Sequence, residues 1–174
     1  DFSSCREGDH AALFSQGNQH FTADPSIMDQ LSAAQRKIDS TSDGDLYWAF
    51  WDSGASRNLL SERSPAISLM SDVQQSPSGG VSVGNGQSLP FSRTGNIGGD
   101  VYTTAKGLKY DLCSAFSAAR RGLSTVLDFD EYGNNLSYVY DKATKRAVPL
   151  MDRGRNVPMI PLSFLYGEPA ASSS

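Results

Sequence analysis

The run Leu46-Tyr47-Trp48-Ala49-Phe50-Trp51 alternates Leu46, Trp48 and Phe50 with Tyr47, Ala49 and Trp51, and both sets are apolar or nearly so. That pattern predicts a strand covered on both faces. It stops abruptly at Asp52-Ser53-Gly54. A carboxylate at the end of a buried strand is costly unless it is paired or hydrogen-bonded, so Asp52 is the residue to explain. Ser53 offers a hydroxyl across a tight turn, and Gly54 lets the backbone bring amide groups toward the carboxylate. Ala55 is small enough for two such loops to approach, and Ser56 can donate a further hydrogen bond. Taken alone, the same residues describe an aspartate bonding its own backbone in an Asx-turn.

The chain has 174 residues, enough for one domain with tails. Its 26 Ser and 16 Gly replace the Ala, Leu, Glu and Lys that a helical bundle or coiled coil needs. No apolar run approaches the ~18 residues of a membrane span, which points to a soluble protein without a membrane partner. The net charge of −4 disfavours binding to a phosphate backbone, so no direct nucleic-acid partner is expected. Residues 1–100 carry 6 basic and 12 acidic groups and residues 101–174 carry 9 and 7, a weak bias only. Two cysteines, Cys5 and Cys113, are too few for a stapled secreted scaffold and favour a reducing compartment. The chain starts with Asp1 rather than Met and reads as a fragment of something longer.

Residues 1–23 are polar and irregular, like a linker or loosely docked arm. Asp24 as cap, Pro25 in the first turn and Ile27, Leu31, Ala34 and Ile38 at helical spacing predict a helix at about 24–39. Turn residues follow at 40–45. Val81 and Val83 lead into Gly84-Asn85-Gly86 and out through Leu89 and Phe91, a hairpin, with a second turn at Gly95. Residues 108–122 read as a short strand into a helix at about 114–121, closed by Gly122. Strands are expected at 124–129 and 136–140, with turns at Tyr132-Gly133-Asn134-Asn135 and at 143–146. A last strand at 157–164 is confined to a sheet edge by Pro158 and Pro161. The division is an arm at 1–45, a domain at 46–166 and a disordered tail at 167–174, mostly β with two helices.

Three segments in one order carry a resemblance. Asp52-Ser53-Gly54-Ala55-Ser56, followed by Asn58-Leu59-Leu60, resembles the active-site loop of retroviral-type aspartic proteases. Val81-Ser82-Val83-Gly84-Asn85-Gly86-Gln87-Ser88-Leu89-Pro90, then Gly95, resembles the hairpin of copia-type retrotransposon proteases. Gly107-Leu108-Lys109-Tyr110-Asp111-Leu112-Cys113-Ser114, running into a helix, is similar to that family's segment behind the catalytic loop. The match covers roughly residues 46–130. Two departures stand out. Arg57 and Asn58 occupy positions where a His is frequent, and Leu112-Cys113-Ser114 replaces the two apolar residues and Gly of retroviral enzymes.

The resemblance implies a retropepsin-like fold, half of an acid protease built as a closed β-barrel, and an aspartic endopeptidase that processes its own polyprotein inside virus-like particles. Such hydrolysis needs two carboxylates sharing one proton, one as general base on a water and one as acid. No internal repeat supplies a second loop, so Asp52 would be the catalytic residue of a homodimer, with Ser53, Gly54, Ala55 and Ser56 shaping its loop. Val83, Gly84, Asn85 and Gly86 would form a flap over an extended peptide, Gly84 and Gly86 supplying positive φ, and Leu112, Cys113 and Ser114 would support the loop. No cofactor or metal is implied; Cys5, His10 and His20 fit no zinc spacing, and a Ser-His-Asp triad would need histidines from the irregular arm. Trp48, Phe50 and Trp51 are read as core, Cys113 as a small buried hydrophobe, and Arg120-Arg121 and Lys145-Arg146 as solvated. The alternative is an inactive or host-adopted copy of the same fold serving as a dimerisation or peptide-binding module. A third reading has residues 1–45 covering the cleft of a precursor.

Overall fold

The computed structural model describes residues 25–76 and 78–167. The protein is mostly β. In chain order the main elements are α1 (Pro25–Asp39), β1 (Trp48–Asp52), β2 (Asn58–Ser61), β3 (Ser71–Gln75), β4 (Gly80–Ser82), β5 (Ser88–Ile97) and β6 (Asp100–Ala105). There follow β7 (Leu112–Ser114), α2 (Ala115–Arg120), β8 (Leu123–Val126), β9 (Tyr138–Asp141), β10 (Arg146–Pro149), β11 (Met151–Asp152) and β12 (Pro158–Pro161). A nine-stranded sheet runs β11-β12-β1-β7-β2-β6-β5-β3, with β4 on β5, and a second sheet runs β10-β9-β8.

The large sheet is open, which corrects the expectation of a closed barrel. Its two end strands do not pair with each other: β11 is two residues long, and β3 is exposed throughout and bulged between Ser71 and Gln74. The core lies under β1, β2, β6, β7 and β12, where Leu60, Tyr102, Cys113, Ile160 and Leu162 are buried. No helix among the described residues is long and apolar enough to cross a membrane.

Both expected helices are present. The first is not a detached arm element. Ile27 packs with Val126, Tyr138 and Ala147, Ile38 enters the main core, and Gln30 bonds the edge of β10. Gly122, at φ 93°, ends the α2 segment as read from sequence. Residues 1–24 and 168–174, including Cys5, His10, His20 and nearly all of the expected tail, lie outside the described residues.

Several strand readings are corrected. The strand after residue 45 begins only at Trp48, because Tyr47 sits at φ 56°, a left-handed conformation that a ladder does not continue through. Gly95 lies inside β5, opposite Tyr102, and the reversal comes at Gly98 and Gly99, both at positive φ. The last strand, β12, is not an edge: it pairs with β1 on one side and β11 on the other. Its two prolines are its first and last residues, which leaves Met159 and Ile160 free to donate. Strands β2, β3, β6, β10 and β11 were not expected, whereas 124–129 and 136–140 correspond to β8 and β9 at slightly shifted bounds.

Candidate active site

Strand β1 buries Ala49 and Trp51 and leaves Trp48, Phe50 and Asp52 half-exposed. Side chains alternate along a strand, so Asp52 leaves the sheet on the face of Trp48 and Phe50 and avoids full burial. That resolves the cost of a strand-end carboxylate and corrects the reading of β1 as covered on both faces.

The loop after Asp52 crosses the end of another strand. Although β1 and β2 are consecutive, β7 lies between them, parallel to β1 (Asp52 beside Ser114) and antiparallel to β2 (Leu59 beside Leu112). Residues 53–57 bridge this inserted strand. Asp52 Oδ1 accepts the Gly54 N–H at 2.7 Å, and the Asp52 carbonyl accepts the Ala55 N–H at 3.4 Å. A Cβ at Gly54 would lie 3.3 Å from the same carboxylate oxygen, so a larger residue would push on the carboxylate. Ser53 and Ser56 are exposed, and among the described residues neither donates to Asp52.

Ser114 holds the loop from beneath. Its Oγ donates to the Ala55 carbonyl at 2.7 Å and accepts the Ser117 N–H at 3.1 Å, capping α2. Its own N–H donates to Asn58 Oδ1 at 2.8 Å, and Asn58 Nδ2 donates to the Val101 carbonyl at 3.1 Å. Asn58 therefore ties β2 to β6 and β7, a role the sequence reading missed. The available signal was an amide opening an otherwise apolar strand.

Behind the loop a second polar cluster was also missed. Asp111 Oδ1 accepts the Ser61 N–H at 2.8 Å and Oδ2 accepts the Ser64 hydroxyl at 2.5 Å. Burial raises the Asp111 carboxyl above its ordinary range, against the lowering effect of those two donors.

Cys113 is buried, as expected, and burial pushes its thiol up to about 12. Its Sγ lies 3.4 Å from Tyr102 Oη, which lies 2.9 Å from Tyr166 Oη, and Tyr166 donates to Asp100 Oδ2 at 2.6 Å. With one proton per hydroxyl, donation runs from Cys113 through Tyr102 and Tyr166 to Asp100. Arg121 pairs with Asp100, so it is not merely a solvated charge.

The hairpin joins the site. Gly80 to Ser82 pair with Pro90 to Ser88, and the tip is closed by the Gly86 N–H donating to the Val83 carbonyl at 2.8 Å. Asn85 Oδ1 accepts the Gln87 N–H at 2.8 Å. Of the two tip glycines only Gly86 has positive φ, 84°, so Gly84 is not there for that reason. Val83 and Gly84, with Val81 and Ser82, face Asp52, Gly54, Ala55, Ser56 and Leu112 across a groove of about 320 Å³. Asn85 and Gly86 do not line it. Arg57, from the loop, lies 4.9 Å over the Phe91 ring at the base of the hairpin.

Asp52 and Leu112 also line a larger cavity of about 650 Å³, walled by Phe50, Trp51, Ser53, Ala115, Thr125, Leu127, Val157 and Pro158. Phe50 and Trp51 thus wall this cavity as well as packing in the fold. Asp52 therefore borders two largely apolar recesses, one of them faced by the hairpin, and a half-exposed carboxylate at such a place can act as a proton acceptor. Among the described residues no group of His, Cys, Asp and Glu is arranged to hold a metal ion. No family model, curated protein or solved structure matches the chain.

Proposed function

We propose that this chain is the aspartic endopeptidase of a copia-type retrotransposon polyprotein, working as a homodimer within cytoplasmic virus-like particles. The observation that carries the reading is the groove in which the Asp52 loop faces the 80–91 hairpin, two segments that the resemblance names independently. Ser114, from the third such segment, supports it by bonding the loop directly.

In this mechanism Asp52 of each chain meets Asp52 of the other, and the pair holds one proton. Two like charges in van der Waals contact cannot both ionise, which is the general behaviour of aspartic-protease dyads. The ionised carboxylate takes a proton from water as it attacks the carbonyl carbon, and the protonated one donates to the carbonyl oxygen. The hairpin contributes backbone groups to an extended peptide and excludes bulk water. The test is cleavage of the polyprotein segment flanking this chain, comparing wild type with Asp52→Asn over mildly acidic to neutral pH. Cleavage abolished by the substitution is the expected result. Cleavage that persists in the variant refutes the assignment, and a folded dimer that cuts nothing favours the peptide-binding module.

A further inference from the structure

We propose that Arg155 is a carboxylate-binding residue at the rim of the Asp52 cavity, where it takes an acidic side chain of a bound extended peptide. Calling that peptide a substrate rests on the reading above; the binding itself rests on the residues around Arg155.

The stretch that turns from β11 into β12, Asp152-Arg153-Gly154-Arg155-Asn156, puts two arginines into one short turn. Asp152 Oδ1 accepts the N–H of Gly154 at 2.9 Å, of Arg155 at 3.0 Å and of Asn156 at 2.9 Å. Gly154 and Asn156 sit at φ 88° and 56°. Three donors on one oxygen hold the turn in one shape, so both arginines leave it from fixed points.

Both arginines lie on aromatic rings. The Arg153 guanidinium is 4.6 Å from the centre of the Trp48 ring, and that of Arg155 is 4.6 Å from the centre of the Tyr110 ring. Beyond that they differ. Arg153 Nη2 donates to Asp43 Oδ1 at 2.8 Å, and the same oxygen accepts the Trp48 indole N–H at 2.9 Å. Arg155 Nη1 donates to Tyr110 Oη at 3.2 Å, and among the described residues it meets no carboxylate. A guanidinium laid on a ring keeps its N–H edge free for a carboxylate. Arg153 has that partner within the chain. Arg155 stands in the same posture, open to one from outside.

The ring under Arg155 leads to Asp52. Tyr110, 45% exposed, meets Phe50 edge-on with 5.3 Å between ring centres, and Phe50 and Asp52 both line the cavity of about 650 Å³. Val157 and Pro158, which follow the turn directly, wall the same cavity. An extended peptide advances about 3.3 Å per residue, so one that seats an apolar side chain in the cavity can bring a neighbouring residue to Arg155. An acidic peptide suits this place better than a nucleic acid, because the cavity is largely apolar and the chain carries a net charge of −4.

The experiment measures binding of short peptides to the full chain by fluorescence anisotropy. The dye-labelled peptides, built of Ala, Ser, Val and Leu, carry one Glu moved through every position, each beside its Gln twin. Wild type, Arg155→Gln, Arg155→Lys and Arg36→Gln, an exposed arginine on α1, are compared, with circular dichroism reporting the fold. In wild type and Arg36→Gln the best Glu peptide should bind about fivefold tighter than its twin. Arg155→Gln should abolish that difference. Arg155→Lys should keep only part of it, because lysine carries the charge without the planar fork. A wild type that binds the twins alike, or binds neither, overturns the proposal, as does a preference that survives Arg155→Gln. So does a dye-labelled oligothymidine that binds through Arg155 more tightly than every Glu peptide, which would make the surface a nucleic-acid site. Cleavage of the same peptides, followed by mass spectrometry, separates the two readings. Glu-selective binding lost in Arg155→Gln, with no peptide cut, upholds the role of Arg155 and defeats the protease assignment. Asp52-dependent cleavage with no difference between Glu and Gln twins does the reverse.

Discussion

Ser114 Oγ donates to the Ala55 carbonyl at 2.7 Å while accepting the N–H of Ser117, so one hydroxyl both caps α2 and pins the loop that carries Asp52. Ser114→Ala removes both bonds. It should lower unfolding stability by about 1–2 kcal/mol, read as a shifted urea midpoint at unchanged slope. Under the proposed function, peptide hydrolysis should fall through kcat more than KM, because the loop carrying Asp52 is loosened while the hairpin wall of the groove remains. An unchanged midpoint would show that water replaces the hydroxyl at no cost.

Asp111 should make stability depend on pH in a direction unusual for a carboxylate. Burial raises its folded-state pKa above the ordinary value of 3.8. The folded protein therefore holds this proton more tightly than the unfolded chain. Its favourable contribution is complete below 3.8 and is lost as pH rises through the raised value. Comparing Asp111→Asn with wild type by thermal melts from pH 3 to 7 isolates this dependence, with the wild type losing stability relative to the variant as pH rises. A difference that shifts the other way would show that the Ser61 and Ser64 bonds outweigh burial.

Tyr166 completes the chain of donors ending on Asp100. Tyr166→Phe leaves Tyr102 without its acceptor and Asp100 with one donor fewer, and should cost ~1–3 kcal/mol by chemical denaturation. A neutral result would mean that Arg121 alone satisfies the carboxylate.

Cys113 should be inert in the folded protein. It is 1% exposed and its thiol is pushed up to about 12, so little thiolate exists at neutral pH and reagents cannot reach it. Alkylation followed by peptide mapping should label Cys113 only under denaturing conditions. Rapid native labelling would place it at the surface.

The sequence revealed the parts of the site more readily than the sheet that assembles them. The abrupt end of an aromatic run at Asp52, the glycine-tipped hairpin and Ser114 ahead of a helix are local signals, and each needs only its neighbours. The two helices were legible for the same reason, from spacing and terminal residues. Strand β3, Ser71-Asp72-Val73-Gln74-Gln75, carries no apolar alternation because it is exposed throughout. In β6 four residues in a row, Tyr102 to Ala105, are buried, two of them threonines, so no period of two survives. The insertion of β7 between β1 and β2 is a long-range relation, invisible to a local pattern. Asn58 was noted as part of the loop's resemblance and as a departure from a frequent His, but its structural role was not read, because that role depends on Ser114 and Val101 being brought beside it.

Subunit mixing tests the pairing of two Asp52 carboxylates most directly. A fixed amount of wild-type chain is titrated with excess Asp52→Asn chain, and cleavage of the flanking polyprotein segment is followed after exchange. Activity should fall toward zero as wild-type chains are drawn into mixed dimers with a single ionisable Asp52. Activity that stays constant as the variant is added would contradict the pairing, because each wild-type chain would then carry a complete site of its own.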